Sequence, residues 1–308
     1  MSQWDEFEDI APGHRSGFVA VIGRPNVGKS TLMNHFLGQK VAIVSPKPQT
    51  TRSRITGILT DEDAQVIFID TPGLHRPFHK LGELMVGTAA QAIPDADVVL
   101  FVVDVSVLPT DEDRWAADVL RQRTEKPIIL VLNKMDLLPP DAVKRHTEAY
   151  WELMPEHAEW MMTIATEGVN LGKLRDRIVE HLPEGPRYYP GHQITDQTER
   201  QIAAELIREQ VLRFTRHEVP HSVAVVVEEF AEREHGAVYI AANIHVERDS
   251  QKGIIIGAKG RMLRKIGAAA RKEIERMVGG GVYLDLWVKV SKNWRQDLVR
   301  IQQLGYRT

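Results

Sequence analysis

The stretch Gly23–Thr31 reads GRPNVGKST and follows the apolar run FVAVI. A Gly-x-x-x-x-Gly-Lys-Ser loop between a strand and a helix is built to hold phosphate. Its glycines let backbone N–H groups turn inward, at the positive end of the following helix. Lys29 offers a point charge to the β and γ phosphates, and the Ser30 hydroxyl can ligate Mg2+. Gly23, Arg24, Pro25, Asn26, Val27, Gly28 and Thr31 complete the wrap around the phosphates.

Two further motifs turn a phosphate loop into a guanine-nucleotide site. DTPG (Asp70, Thr71, Pro72, Gly73) ends the apolar run VIFI, and Leu74 follows it. Asp70 is placed to hold Mg2+ through water, and the Gly73 amide to sense the γ-phosphate. NKMD (Asn133, Lys134, Met135, Asp136) ends the run IILVL. The Asp136 carboxylate can accept both N–H donors of guanine's edge, whereas adenine would leave it unpaired and desolvated. Between these motifs, PKPQTTRSR carries two adjacent threonines. One hydroxyl can reach Mg2+ when the γ-phosphate is present, and Thr51 is preferred over Thr50. The expected metal set is Ser30, Thr51 and Asp70.

Strands and helices must position these loops. The Val/Ile-rich runs FVAVIG, QVIFIDTPG, VVLFVVD and PIILVLNKMD alternate with helical candidates such as 111–123 and 140–153. Buried parallel strands look like this, so a doubly wound α/β domain is expected, with ligands at the strand carboxyl ends. The stretch LPEGPRYYPG then concentrates prolines and glycines, as a domain boundary does. Beyond it the order becomes helix, strand, strand, helix, strand, then a last helix, an α+β pattern. The expected division is an acidic tail at 1–16, a nucleotide domain at 17–182, a linker at 183–192 and a second domain at 193–308.

Bulk properties narrow the classes. The chain has 308 residues, 43% hydrophobic and 26% charged, as in ordinary globular proteins. No apolar run approaches the ~18 residues of a membrane span. The absence of cysteine excludes disulfides and thiol catalysis. None of the 12 histidines has His-Glu-x-x-His spacing, so dedicated zinc chemistry has no support. With no apolar signal core at the start, a cytoplasmic protein is expected. Charge is uneven: residues 251–308 hold 13 Lys/Arg against 4 Asp/Glu, a net +9 on a chain whose total is −3. A basic end on an acidic body suggests a polyanionic partner for that end.

The basic end contains IIIGAKGRMLRKIG. Gly257-Ala258-Lys259-Gly260 is a G-x-x-G turn before a basic helix, as in the KH fold, where it lets single-stranded RNA backbone approach closely. Ile254, Ile255 and Ile256 are expected to floor the groove. Lys259, Arg261, Arg264 and Lys265 offer charge to phosphates, and Lys289, Lys292 and Arg295 extend the track. Met262, Ile266 and Ile274 form the helix's buried face.

Taken together, the chain resembles the Era family of bacterial ribosome-assembly GTPases over nearly everything after the acidic tail. The resemblance implies a P-loop GTPase domain followed by a type II KH domain. It further implies GTP and GDP as ligands, the 3′ end of 16S rRNA and the 30S subunit as partners, and a role in 30S maturation. Some relatives touch acidic lipid at the inner membrane surface; a monomer is expected. The family's fifth nucleotide motif usually reads Ser-Ala, and here Ile164-Ala165 stands in its place, leaving the Ala165 amide for the base. Leu74 replaces the water-orienting glutamine of Ras-like enzymes, so unaided hydrolysis should be slow. In relatives with that substitution, an asparagine at the position of Asn26 helps bind potassium. Arg24, Arg52 and Arg54 are rival sources of charge. The catalytic group is therefore expected to be Asn26, Lys29, Thr51 and Gly73. A constitutive RNA binder with GTP as a structural ligand is the alternative reading.

Overall fold

The computed structural model describes residues 12–47, 49–233 and 236–306. Most of the expected acidic tail lies outside these residues. The chain divides into two units: one runs to Ala42 and takes in Thr51–Pro77 and Met85–Asp196, the other comprises Ile43–Thr50, Phe78–Leu84 and Gln197 onward.

The first unit is built on a six-stranded sheet. Its elements are β1 (Arg15–Ile22), α1 (Lys29–Phe36), β2 (Ile55–Thr60), β3 (Ala64–Asp70), the C-terminal part of α2 (Lys80–Gln91), β4 (Val98–Asp104) and α3 (Asp111–Arg123). β5 (Ile128–Asn133), α4 (Val143–Leu153), β6 (Glu159–Thr163) and α5 (Leu171–His181) follow. Strand order is β2-β3-β1-β4-β5-β6, parallel except for β2. β4 shows why the apolar runs do not alternate. Val98, Leu100 and Val102 enter one core cluster while Val99, Phe101 and Val103 enter the other. A strand covered on both faces buries every side chain, each contributing about 1.5–3 kcal/mol of hydrophobic transfer.

β1 begins at Arg15, inside the span expected as tail, because Arg15–Val21 pair with Ala64–Asp70. The proline- and glycine-rich stretch is not a loose connector either. The buried Gln65 side chain accepts from the Tyr188 and Tyr189 amides at 2.7 and 3.0 Å and donates to the Tyr189 carbonyl at 2.8 Å. Ile58 donates its amide to the Ile194 carbonyl, and the Thr195 hydroxyl donates to the Thr56 carbonyl. The first unit therefore extends to Asp196 rather than ending at Leu182.

The second unit adds α6 (Glu199–Phe214), α7 (Val219–Ser222), β7 (Ala224–Glu232), β8 (Val238–Val246), α8 (Asp249–Ile256), α9 (Arg261–Val278), β9 (Val282–Val290) and α10 (Leu298–Gln303). Its sheet runs β7-β8-β9, antiparallel and then parallel. A capping box starts α6: the Thr198 hydroxyl accepts from the Gln201 amide, and the Gln201 side chain accepts from the Thr198 amide. The fully buried Trp294 donates Nε1–H to the Ser222 carbonyl at 2.9 Å and stacks on Tyr306.

Candidate nucleotide site and nucleic-acid turn

The loop between β1 and α1 is shaped by close approaches. Gly28 has φ +107°, and a Cβ there would lie 2.2 Å from Asn133 Nδ2. Gly73 leaves room for Pro25, whose backbone nitrogen would sit 2.5 Å from an added Cβ. Both positions need glycine because no side chain fits. Asn26 is exposed, in the left-handed region at φ +66°. Lys29 is buried and donates to the Gly23 and Arg24 carbonyls at 3.0 and 2.9 Å. Desolvation brings its pKa down to about 8, against the pull of Asp70.

Three oxygen-bearing side chains from separate segments meet beside Lys29. Ser30 Oγ lies 2.9 Å from Thr51 Oγ1 and donates to Asp70 Oδ2 at 2.5 Å, with Thr51 Oγ1 at 3.4 Å from the same oxygen. Thr50, by contrast, turns its hydroxyl to the Lys47 carbonyl at 2.6 Å. Asp70 is fully buried, and its Oδ1 has no partner among the described residues. Burial lifts the Asp70 carboxyl to about 6. One buried carboxylate with two hydroxyls is a hard-oxygen set that suits Mg2+ shared with phosphate. Among the described residues no group of three or more His, Cys, Asp or Glu side chains could hold a metal.

The base end is organised by Asn133. Its Nδ2 donates to the Val27 carbonyl at 2.8 Å, while its Oδ1 accepts from the Ala165 amide at 3.0 Å and the Thr163 hydroxyl at 3.1 Å. One side chain thus ties the phosphate loop to NKMD and to the loop after β6. The Ala165 amide, expected to face the base, is taken up by this strut. Asp136 is exposed in the single 3-10 turn Met135–Leu137. Lys134, at φ +64°, donates to Asp104 Oδ2 at 2.6 Å. Against the desolvation that would raise it, this bond and the Ser106 hydroxyl hold the Asp104 pKa below its usual value. Asp104 and the Asn133 strut carried no signal in the sequence beyond their strand-end positions.

The Leu74 side chain is fully buried in the core cluster that also holds Ile22 and Phe101, and its amide donates to the Gly23 carbonyl. Arg24 is not a loose charge, since Nε donates to Asp113 Oδ2 at 3.1 Å and Asp104 lies at 3.8 Å. Asp113 is placed by the Thr110 capping box that starts α3. Arg52 is buried at 2% exposure and Arg54 is exposed.

In the second unit Gly257, Lys259 and Gly260 all have positive φ, at +67°, +52° and +73°. Arg264 closes the turn by donating to the Lys259 carbonyl at 2.9 Å. Lys259, Arg261, Arg264 and Lys265 are exposed, Lys265 lying 4.3 Å from the Phe214 ring centre. Ile254–Ile256 are the last turn of a helix, which sends Ile255 into the core and leaves Ile254 at the surface. Lys289 alternates with the core-facing Val288 and Val290 and shares the open sheet face with Tyr283 and Trp287. Arg295 is paired with Glu247 Oε2 at 2.6 Å. Lys292 is exposed.

A phosphate loop, two carboxylate motifs at strand ends and a G-x-x-G turn on an α+β unit define a GTPase joined to a KH domain. The family described as 50S ribosome-binding GTPase matches residues 18–134, and the KH domain family matches residues 218–295. The chain is 51% identical to GTPase Era of Nostoc sp. over 298 residues, covering 96% of this chain and 91% of that protein. It is 48% identical to GTPase Era of Heliobacterium modesticaldum over 292 residues, covering 95% and 97%. An Era in complex with MgGDPNP and nucleotides 1506–1542 of 16S ribosomal RNA superposes with TM-score 0.92 at 40% identity, covering 96% of this chain and all of that one. An Aquifex aeolicus Era variant bound to GDP·AlF4− gives 0.91 at 40% identity, with the same coverage. The chain belongs to the Era GTPase family, whose reaction is hydrolysis of GTP to GDP and phosphate.

Proposed function

We propose that this GTPase is a switch that binds the 3′ end of 16S rRNA through its KH domain and assists maturation of the 30S subunit in the cytoplasm. The observation that carries the switch is the meeting of Ser30, Thr51 and Asp70. Residues from the phosphate loop and from both flanking segments share one cluster, so a γ-phosphate with its Mg2+ can fix all three. In that reading Ser30, Thr51 and Asp70 hold Mg2+, which neutralises charge on the phosphates. Lys29 binds the β and γ oxygens, Gly73 donates its amide to the γ-phosphate, and Asp136 selects guanine. The RNA assignment is supported by the rRNA complex of the 40%-identical Era and by the exposed basic residues around the G-x-x-G turn.

Hydrolysis should be slow unaided, because the Leu74 side chain is buried in the core and cannot orient water. Arg24 is committed to Asp113 and Asp104, so a monovalent cation at the exposed Asn26 and the exposed Arg54 are the two sources of added charge to be tested. The test is GTP turnover in potassium and in sodium buffer, each with and without an RNA carrying the 16S 3′ end. Stimulation by that RNA and not by a scrambled one supports the switch. Equal RNA affinity in the GTP and GDP states, with no turnover above background, overturns it. A potassium-specific rise lost in Asn26→Ala supports the cation site.

A further inference from the structure

The middle of α6 is buried on every side. Leu206, Ile207, Arg208, Glu209, Gln210, Val211 and Leu212 are all inaccessible, although only part of a helix's circumference can face a sheet. Arg208 is fully buried, and its guanidinium pairs with Glu205 at 2.5 Å. It also donates Nη2–H to the backbone carbonyl of Thr50. One residue on, Glu209 Oε1 accepts from the Val44 amide at 3.0 Å. Ile43 joins the apolar cluster of the second unit. This loop is therefore gripped at Val44 and at Thr50 by consecutive residues of one helix. It is braced internally where Thr50 Oγ1 donates to the Lys47 carbonyl.

The carbonyl that Arg208 holds belongs to the peptide bond leading into Thr51. That bond is planar, so fixing its oxygen also fixes the Thr51 nitrogen and the direction from which the Thr51 side chain leaves. The Thr51 hydroxyl is the one that meets Ser30 and Asp70. We propose that Arg208 and Glu209 are positioning residues for GTP hydrolysis, acting through their hold on Thr50 and Val44 to set where Thr51 delivers its hydroxyl. This rests on the reading of Thr51 as a ligand of the nucleotide-bound Mg2+. A buried charge is a costly way to make one contact, and an apolar residue of the same length would pack at least as well. What guanidinium adds is a directional donor aimed at one carbonyl.

The experiment uses the full chain with Arg208→Met, Arg208→Lys, Glu209→Met and Thr51→Ala. Four readouts are taken: kcat, the Mg2+ concentration for half-maximal turnover, affinity for GDP against a non-hydrolysable GTP analogue, and thermal unfolding. Loss of the Thr50 contact in Arg208→Met should raise the half-maximal Mg2+ and lower kcat by about tenfold, the worth of one well-placed hydrogen bond. GDP affinity should stay within about twofold, since Thr51 is called on only with the γ-phosphate. Arg208→Lys, which keeps a donor, should recover part of the loss. If Thr51→Ala leaves the Mg2+ dependence unchanged, the ligand reading of Thr51 is wrong and the inference goes with it. If Thr51→Ala shifts that dependence while folded Arg208→Met and Glu209→Met do not, the positioning role alone is overturned. Equal losses of GDP and analogue affinity would make Arg208 a fold-stabilising residue only, which also overturns it. Should Arg208→Met unfold, Glu209→Met decides, because it removes the bond to the Val44 amide and the one from Gln210 but no buried cation.

Discussion

Replacing Asn133 by alanine removes one side chain and strands three buried groups. The Val27 carbonyl, the Ala165 amide and the Thr163 hydroxyl each lose their partner in Asn133. Asn133 is only 2% exposed, so solvent does not stand ready to replace it. A buried polar group left unsatisfied costs about 1–3 kcal/mol. If one of the three finds a new partner, the remaining two set a loss of about 3–5 kcal/mol for the first unit. Thr163→Ala, which breaks one bond and strands nothing that lacks another donor, should cost about 1 kcal/mol. The loss should be read by urea denaturation of the chain without nucleotide, following the transition of the first unit. It should be read again by GDP titration, because the strut joins the phosphate loop to the base loops. GDP affinity should fall by at least about 100-fold, equivalent to roughly 2.7 kcal/mol. Asn133→Asp turns the Val27 contact into a carboxylate facing a carbonyl and should be no better than alanine. An Asn133→Ala chain that unfolds within about 0.5 kcal/mol of the native one would refute the strut. In that case the three groups are satisfied by something other than Asn133.

Other substitutions test neighbouring parts. Gly28→Ala should reproduce the loss of GDP binding, since its Cβ would fall 2.2 Å from Asn133 Nδ2 at a φ of +107°; isothermal titration measures it. Gly257→Ala should weaken binding of a 16S 3′-end RNA by tenfold or more on the order of a lost turn conformation, because its Cβ would meet Met262 Cβ at 2.8 Å. GDP affinity serves as its control. Trp294→Phe keeps most of the ring but leaves the Ser222 carbonyl without its 2.9 Å donor, and should cost the second unit about 1–2 kcal/mol in chemical denaturation. His245 has its pKa lowered by burial first and by Lys289 next, with Glu228 opposing. A histidine with a depressed folded pKa binds fewer protons than in the unfolded chain, so stability falls as pH drops through 6.5 toward the folded value. Lys289→Gln should raise the His245 pKa, as an NMR titration of its ring protons would show, and so lessen that acid sensitivity.

The nucleotide loops were legible because each motif sits where a buried strand must end. A run such as VIFI has no polar residue until Asp70, and chemistry starts there. The antiparallel β2 was not read, since ITGILT is short and carries a glycine and two threonines. The isoleucine triplet did not disclose which of its members face the core, for a specific reason. Three consecutive apolar residues look alike to a strand and to a helix end, and only the helical rotation of α8 separates Ile255 from Ile254. The surroundings of Ala165, Arg295 and Leu74 were hidden for another cause. Sequence gives the type of a donor or side chain but not who already occupies it, and Asn133, Glu247 and the core cluster lie far away in the chain. Arg208 and Glu209 were invisible on the same ground, 158 and 165 residues from their partners Thr50 and Val44.

The stretch after α5 has a consequence for how the chain can be cut. β2 is the outermost strand of its sheet, and the end of the connecting stretch bonds it, Ile194 to the Ile58 amide and Thr195 to the Thr56 carbonyl. A bare edge strand invites pairing with another chain, and here the connecting segment occupies that edge. A nucleotide domain trimmed at Leu182 would thus expose unpaired backbone along Ile55–Thr60 and tend to self-associate. One trimmed after Asp196 would keep its cover and stay dispersed. The segment that looks most dispensable in the sequence is the guard on the sheet's open side.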